Sequence, residues 1–279
     1  MFQQKRHFFC RMIVICFIIF VFLHRNKTHP MNIRYIHLDE VDSTNNYLQC
    51  YKQALDEAIT FVWTDAQVAG RGCGTNTWEC ETGKNITFSV LFHPCHTPAS
   101  KQFIISMANA LALKEALGHY TDGITVKWPN DIYWKDYKLA GTLIEPSLRK
   151  GVVADCIIGT GININQTTFR SDAPNPVSLK QVCGHELDRE EVASRVTEKL
   201  LGYISKLESP ANWPSIREAY REALYRKEGM HCYQTTTGEL FKAALHTVED
   251  DGMLVLEVNM ASGRTDLRKF AFKELKYII

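Results

Sequence analysis

The sequence predicts an α+β fold: a mixed β-sheet with packed helices, followed by a small C-terminal β-barrel. Strand patterns alternate with amphipathic helical patterns over residues 33–226. From about Gly229 onwards the pattern changes to short strands separated by turn residues. With 279 residues, the chain is long enough for one medium and one small domain. We therefore expect a leader at 1–30, a main domain at 31–227 and a barrel at 228–279.

The individual elements follow from local patterns. In the first half, the patterns predict a strand at 33–38, a helix capped at 42–44, strands at 58–64 and 85–92, and a helix over 98–117. Hairpins are predicted for 124–145 and a strand for 152–158, before helices at 188–207 and 214–226. The barrel strands are expected at 230–236, 239–248, 253–259 and 265–272.

The composition excludes several classes of protein. A hydrophobic content of 45% and a charged content of 23% are typical of a globular protein rather than a disordered one. The 32 Lys and Arg residues nearly balance the 31 Asp and Glu residues, so we expect no nucleic-acid partner. Nine cysteines, an odd number without a CxxC pair, indicate reduced thiols in a cytoplasmic protein.

The first thirty residues differ from the rest. Residues 12–23 are uninterrupted apolar residues, fewer than the roughly 20 that span a bilayer. A small-residue cleavage site does not follow them. Three interpretations stay open: a membrane anchor through residues 8–23, a cleaved signal, or a leader outside the folded unit with Met31 as the initiator. We favour the third and expect no membrane partner.

A Gly-rich loop is the first candidate binding element. In Gly70-Arg71-Gly72-Cys73-Gly74, alternating glycines let backbone N–H groups approach an anion, and Arg71 adds a planar charged group. The spacing matches neither a dinucleotide-binding fingerprint nor a Walker A loop. A plain surface loop is the alternative.

Two further clusters contain lysine, asparagine and glycine. A hairpin would bring Lys127, Asp131 and Lys138 together as an anion site, with Gly141 allowing a ligand to lie against the backbone. Residues 159–165 combine glycines with asparagines, which suits recognition of a polar ring. The alternatives are solvated lysines and an ordinary Gly/Asn turn.

Taken in order, the segments DSTN, QVAGRG, GKNITFS, KWPND, KLAG and GTGININ resemble those of the biotin protein ligases, or biotin–[acetyl-CoA-carboxylase] ligases. The resemblance covers residues 33–279. It implies the biotin/lipoate ligase-like catalytic fold and a C-terminal SH3-like barrel. Because 30 residues are fewer than the roughly 50 of a small domain, we expect the ligase-only type without an N-terminal DNA-binding domain.

The resemblance also implies a reaction. Biotin and ATP, with Mg²⁺, would give biotinyl-5′-adenylate, which a lysine of a biotin carboxyl carrier protein then attacks. A homodimer is left open. The alternatives are a lipoate or octanoate ligase, disfavoured by KWPND and GRG, and a non-catalytic biotin-binding regulator, disfavoured by the balanced charge.

The resemblance assigns residue roles by matching motifs. Lys138 and Arg71 would be catalytic. Biotin would contact Ser43, Thr44, Asn45, Gln67, Gly70, Arg71, Gly72, Cys73 and Gly141. ATP or the adenylate would contact Trp78, Lys127, Asn130, Asp131, Lys138 and Asn163, with Asp131 as an Mg²⁺ ligand. Cys73-Gly74-Thr75 departs from the family pattern of a long polar residue, then Arg or Lys, then Gly, so we expect a looser loop.

Overall fold

The computed structural model describes residues 32–51, 53, 58–171, 173–259 and 264–279. A seven-stranded sheet is its centre, with strand order β1-β2-β3-β7-β6-β5-β4. The strands are β1 (Ile33–Val41), β2 (Ile59–Gln67), β3 (Ile86–Phe92), β4 (Ile124–Lys127), β5 (Asp131–Trp134), β6 (Tyr137–Arg149) and β7 (Val152–Ile162). β1 and β2 are parallel and the other neighbours antiparallel, which confirms the predicted mixed sheet.

The helices include one that the sequence patterns missed. They are α1 (Thr44–Cys50), α2 (Phe103–Leu117), α3 (Leu179–Cys183), α4 (Arg189–Leu207) and α5 (Trp213–Glu222). α3 has only five residues, too few to show a 3.6-residue period. Its ends were nevertheless readable, because Ser178 and Gln181 form a capping box and Gly184 takes a left-handed conformation at the C-cap.

The main core lies on one face of the sheet. α2 is buried on every side because it packs between the sheet and helices α4 and α5. In β3 the side chains alternate: Phe88 and Val90 join this core, whereas Ser89 on the opposite face contacts Thr44 of α1. The second face of the sheet is thus only partly covered by α1, and the candidate site lies beside that helix.

A second sheet follows the helices. Its strands are β8 (Met230–Thr235), β9 (Leu240–Val248), β10 (Leu254–Asn259), β11 (Thr265–Phe270) and β12 (Leu275–Tyr277), in the order β11-β10-β9-β8-β12. All its pairs are antiparallel, consistent with the predicted SH3-like domain. Trp128 of the first unit donates from Nε1 to the Gly252 carbonyl at 3.0 Å. The boundary at residue 228 stays a prediction.

The structure tests the predictions about membrane anchoring and cytoplasmic location only in part. Within 32–51, 53, 58–171, 173–259 and 264–279, none of the helices is both long and apolar enough to cross a membrane. The apolar segment 8–23 lies outside the described residues. The cysteines inside them are unpaired, as predicted for reduced thiols, and the cytoplasmic location stays a prediction.

Replacing Gly202 by alanine tests the packing of α4. Gly202 lies in the exposed face of this helix, and a Cβ added there meets no atom of the described residues within 4 Å. We expect Gly202→Ala to raise the free energy of unfolding by about 0.5–1 kcal/mol, because glycine loses more backbone entropy in a helix. Urea unfolding measures the change, and a lower stability would contradict this packing.

Candidate active site

A strip of small residues crosses the open face of the central sheet. Thr87 and Ser89 of β3 pair with Gly161 and Gly159 of β7, and Gly161 pairs with Gly141 of β6. We call Gly141, Gly159 and Gly161 the glycine surface. Without Cβ atoms these positions leave bare backbone, on which a flat group can lie closely.

The Trp78 indole lies on the glycine surface. A Cβ at Gly161 would be 2.1 Å from its Cε2, and a Cβ at Gly141 would be 2.9 Å from its Cζ3. The Lys138 Nζ is 5.8 Å from the centre of the Trp78 ring. The buried Trp78 Nε1 has no hydrogen-bond partner among the described residues. Trp78 therefore covers the strip itself, and its predicted contact with adenine stays a prediction.

A buried polar network joins the N-terminus of α1 to the sheet. Gln67 Oε1 accepts from the Thr44 backbone N–H at 3.0 Å, and Ser89 Oγ lies 2.7 Å from Thr44 Oγ1. Ser89 also donates to Asn45 Oδ1 at 2.5 Å. Ser43 is the buried N-cap residue, but its hydroxyl makes no capping bond. Helix capping therefore does not account for Ser43, and the network offers both donors and acceptors.

The Gly-rich loop (residues 70–78) forms a hydrogen-bonded turn beside α1. The Trp78 N–H donates to the Gly70 carbonyl at 2.9 Å and the Gly72 N–H to the Asn76 carbonyl at 2.8 Å. From this loop the Arg71 Nη2 reaches Glu145 Oε1 at 2.7 Å. The structure thus places the predicted anion-binding arginine at the site, paired with a protein carboxylate. The expectation of a looser loop around Cys73 stays untested.

The second predicted cluster does form. Lys127 and Asp131 are register partners of the β4–β5 hairpin, and Lys138 Nζ lies 2.8 Å from Asp131 Oδ2. The pKa of Lys127 is lowered mainly by burial, and further by Lys138 and Arg226, while Asp131 raises it. Lys127 thus lies near two further cations and one carboxylate, a local excess of positive charge that favours an anionic ligand.

Asp131 does not form a resident Mg²⁺ site by itself. Its carboxylate is already paired with the Lys138 ammonium, and it is the single carboxylate among the described charged neighbours of Lys127. Mg²⁺ in phosphoryl-transfer sites is held by one or two carboxylates together with substrate phosphates. The donor set therefore suits a cation that arrives with a nucleotide, and the role of Asp131 as a metal ligand stays a prediction.

The side-chain amides of Asn130 and Asn163 donate hydrogen bonds to backbone carbonyls around the site. Asn130 Nδ2 donates to the Thr142 carbonyl at 3.3 Å, which joins the Trp-Pro-Asn turn to β6 beside Gly141. Asn163 is buried and donates from Nδ2 to the Val177 carbonyl at 3.1 Å. These bonds show structural roles for both amides, and their predicted contacts with ATP are not tested.

Sequence reasoning missed Ser89 and Glu145 as site residues, whereas Gly161 lies within the predicted cluster of residues 159–165. The strand period could have found them, since alternate residues of a strand share one face. Glu145 lies four residues after Gly141 on the same strand, and Ser89 two residues after Thr87. The pairing of β3 with β7 and of β7 with β6, which brings these faces together, could not be read from spacing.

Lys127→Met should stabilise the fold. At neutral pH both folded and unfolded chains carry the Lys127 charge, but the folded chain carries it in a partly buried position, with a lowered pKa. We expect about 1 kcal/mol more stability for the variant at pH 7.5. The difference should shrink as the pH rises towards 10.5, because the buried amine then loses its proton first. Urea unfolding at pH 7.5 and pH 10 checks this, and a variant less stable at both would contradict it.

Comparison with known proteins agrees with this geometry. Residues 38–163 match the biotin/lipoate A/B protein ligase family. The bifunctional ligase/repressor BirA of Bacillus subtilis is 30% identical over 246 residues, 84% of this chain and 72% of that protein. A biotin–[acetyl-CoA-carboxylase] ligase of Paracoccus denitrificans is 28% identical, with 78% of this chain and 92% of that protein covered.

A solved structure shares the fold. The biotin protein ligase from Aquifex aeolicus in complex with biotin and ATP superposes with a TM-score of 0.70 and 22% sequence identity, covering 88% of this chain and 99% of that one. At 22% identity this similarity shows a shared fold, whereas the relatives found by sequence show that the chain is homologous to these ligases. The chain belongs to the biotin/lipoate A/B protein ligase family.

Proposed function

We propose that this protein is a biotin–protein ligase, which activates biotin with ATP as biotinyl-5′-adenylate and transfers it to a lysine of a carrier protein. One observation carries the proposal. The glycine surface has a buried network of hydroxyl and amide groups at one end. Two cations, Arg71 and Lys138, lie beside this surface. Such a strip suits a flat, uncharged ring attached to a carboxylate.

In the first step a biotin carboxylate oxygen attacks the α-phosphorus of ATP, and the bond to the β-phosphate oxygen breaks. Pyrophosphate leaves, and the other product is the mixed anhydride, biotinyl-5′-adenylate. Two like charges about 4 Å apart repel by about 4 kcal/mol at an effective dielectric constant of 20. Lys138 and Arg71 would offset this repulsion, which is greatest as the two anions meet. Mg²⁺ would enter with ATP as part of the substrate.

The ring end of biotin would lie in the polar network. Its ureido group has two N–H donors and one carbonyl acceptor, which match the hydroxyl and amide groups of Thr44, Gln67, Ser89 and Asn45. The Trp78 indole would then contact the bound ring system instead of the glycine surface. Gly70, Gly72 and Cys73 would contribute backbone from the loop that holds Arg71.

In the second step the amine of an acceptor lysine attacks the acyl carbon of the adenylate, and AMP leaves. We assign the acceptor to a biotin carboxyl carrier of the acetyl-CoA carboxylase type, because two relatives are biotin–[acetyl-CoA-carboxylase] ligases. A homodimer stays a prediction. The family also includes lipoate ligases, so lipoate is the rival substrate.

Transfer to a purified carrier domain tests this function. The full chain, ATP, Mg²⁺ and an equal mixture of biotin and lipoate are incubated with the domain, and its intact mass is measured. We expect the mass to increase by one biotinyl group. A lipoyl adduct would support the rival function, and an unmodified carrier, with a known ligase as the positive control, would contradict carrier transfer.

A further inference from the structure

We propose that Glu145 is a positioning residue of this site, whose single carboxylate orients both Arg71 and Asn45. Glu145 Oε1 accepts from Arg71 Nη2 at 2.7 Å, and Oε2 accepts from Asn45 Nδ2 at 2.7 Å. The side chain lies on the open face of β6, in line with Gly141. The inference rests on the proposed function, because it assigns Glu145 a role in biotin activation.

The contact with Arg71 leaves donors for a ligand. Arg71 Nη1 donates to Asn46 Oδ1 at 2.8 Å and to Glu145 Oε2 at 3.4 Å. A guanidinium has five N–H donors, and the Arg71 Nε makes no hydrogen bond within the described residues. Glu145 therefore fixes the plane of the guanidinium while part of it stays free for an anionic ligand.

The contact with Asn45 decides which way its amide points. An ionised carboxylate only accepts hydrogen bonds, so the Asn45 NH₂ must face Glu145. Asn45 Oδ1 then faces Ser89, and it lies 2.0 Å from where a Cβ of Gly159 would be. The Asn45 amide thus presents one defined atom to the ring-binding network.

Together these contacts couple the two ends of the proposed substrate site. Arg71 acts where the biotin carboxylate meets ATP, and Asn45 acts beside the ring. The Arg71–Glu145 pair is partly exposed, with 39% and 24% of the two side chains accessible. Ion pairs this exposed add little to stability. The loss of Glu145 should therefore change the kinetics of activation much more than the stability of the fold.

A double-mutant cycle on the full chain tests the role. Biotin-dependent ATP–pyrophosphate exchange is measured for the unsubstituted chain, Glu145→Gln, Arg71→Ala and the double variant. We expect Glu145→Gln to lower kcat/KM for biotin about tenfold when Arg71 is present, and less than threefold in the Arg71→Ala background. Glu186→Gln, which breaks an exposed pair with Lys180, is the matched control and should not change the kinetics.

The outcomes separate this inference from the function. Equal losses from Glu145→Gln in both backgrounds, or no loss at all, would overturn the positioning role. An unsubstituted chain without biotin-dependent exchange would remove the proposed function and this role together. If Glu145→Gln does not fold, Glu145→Asp replaces it in the cycle, since one missing methylene prevents simultaneous contact with Arg71 and Asn45.

Discussion

Lys138→Ala should lower the rate of biotin adenylation about 10²–10³-fold, the usual loss when one preorganised transition-state donor is removed. The Lys138 ammonium pairs with Asp131 and lies beside Gly141, where a Cβ would be 3.2 Å from its Nζ. Its ammonium is thus one of the three atoms nearest to that Cβ position. Exchange of labelled pyrophosphate into ATP measures the rate.

A structural effect of this substitution can be separated from the chemical one. The loss should appear mainly in kcat, because the interaction strengthens as charge develops at the reacting phosphate. Lys180→Ala removes another paired lysine, whose ammonium contacts Glu186 rather than a residue of the candidate site, and it should leave the rate unchanged. A Lys138→Ala variant that turns over at nearly the normal rate would show that the lysine is not part of the machinery.

Gly161→Ala should weaken biotin binding about 30-fold, which is about 2 kcal/mol. The added Cβ would lie 2.1 Å from Trp78 Cε2 and 2.6 Å from Cζ2, so the indole must leave its present position. In the complex, the same Cβ would project into the space that we assign to the biotin ring. Titration calorimetry with biotin, in the absence of ATP, measures the dissociation constant.

Gly202→Ala is the matched control for this substitution. It makes the same chemical change in helix α4, where the added Cβ has no neighbour within 4 Å in the part of the chain that the structure describes. Biotin binding should therefore stay unchanged in that variant. An unchanged dissociation constant for Gly161→Ala would mean that the ligand does not lie on the glycine surface.

The sequence predicted most of the fold because its periodic segments are long. The helix predicted over 188–207 is α4 (Arg189–Leu207), because its apolar residues repeat with the helical period and Asp188 caps its N-terminus. β12 was missed because three residues show no period. α2 was predicted as a helix, but its burial on every side depends on α4 and α5, which spacing cannot reveal.

The grouping of candidate site residues was predictable where these residues lie close together in the sequence. Lys127, Asp131 and Lys138 come together because two successive hairpins, β4–β5 and β5–β6, join them, and hairpins are local structures. The pairing of Arg71 with Glu145 joins residues 74 positions apart, and it depends on β6 and α1 lying near the Gly-rich loop. The position of Trp78 on Gly161 likewise follows from tertiary packing rather than from sequence.

Biotin activation by this protein is tested most directly by ATP–pyrophosphate exchange with the full chain, with biotin, with lipoate or with no acid added. We expect exchange with biotin, and none with lipoate or without acid. Exchange with lipoate alone would assign the protein to the other branch of its family. Lack of exchange with either acid, in a folded protein, would contradict the claim that Arg71 and Lys138 activate a carboxylate at this site.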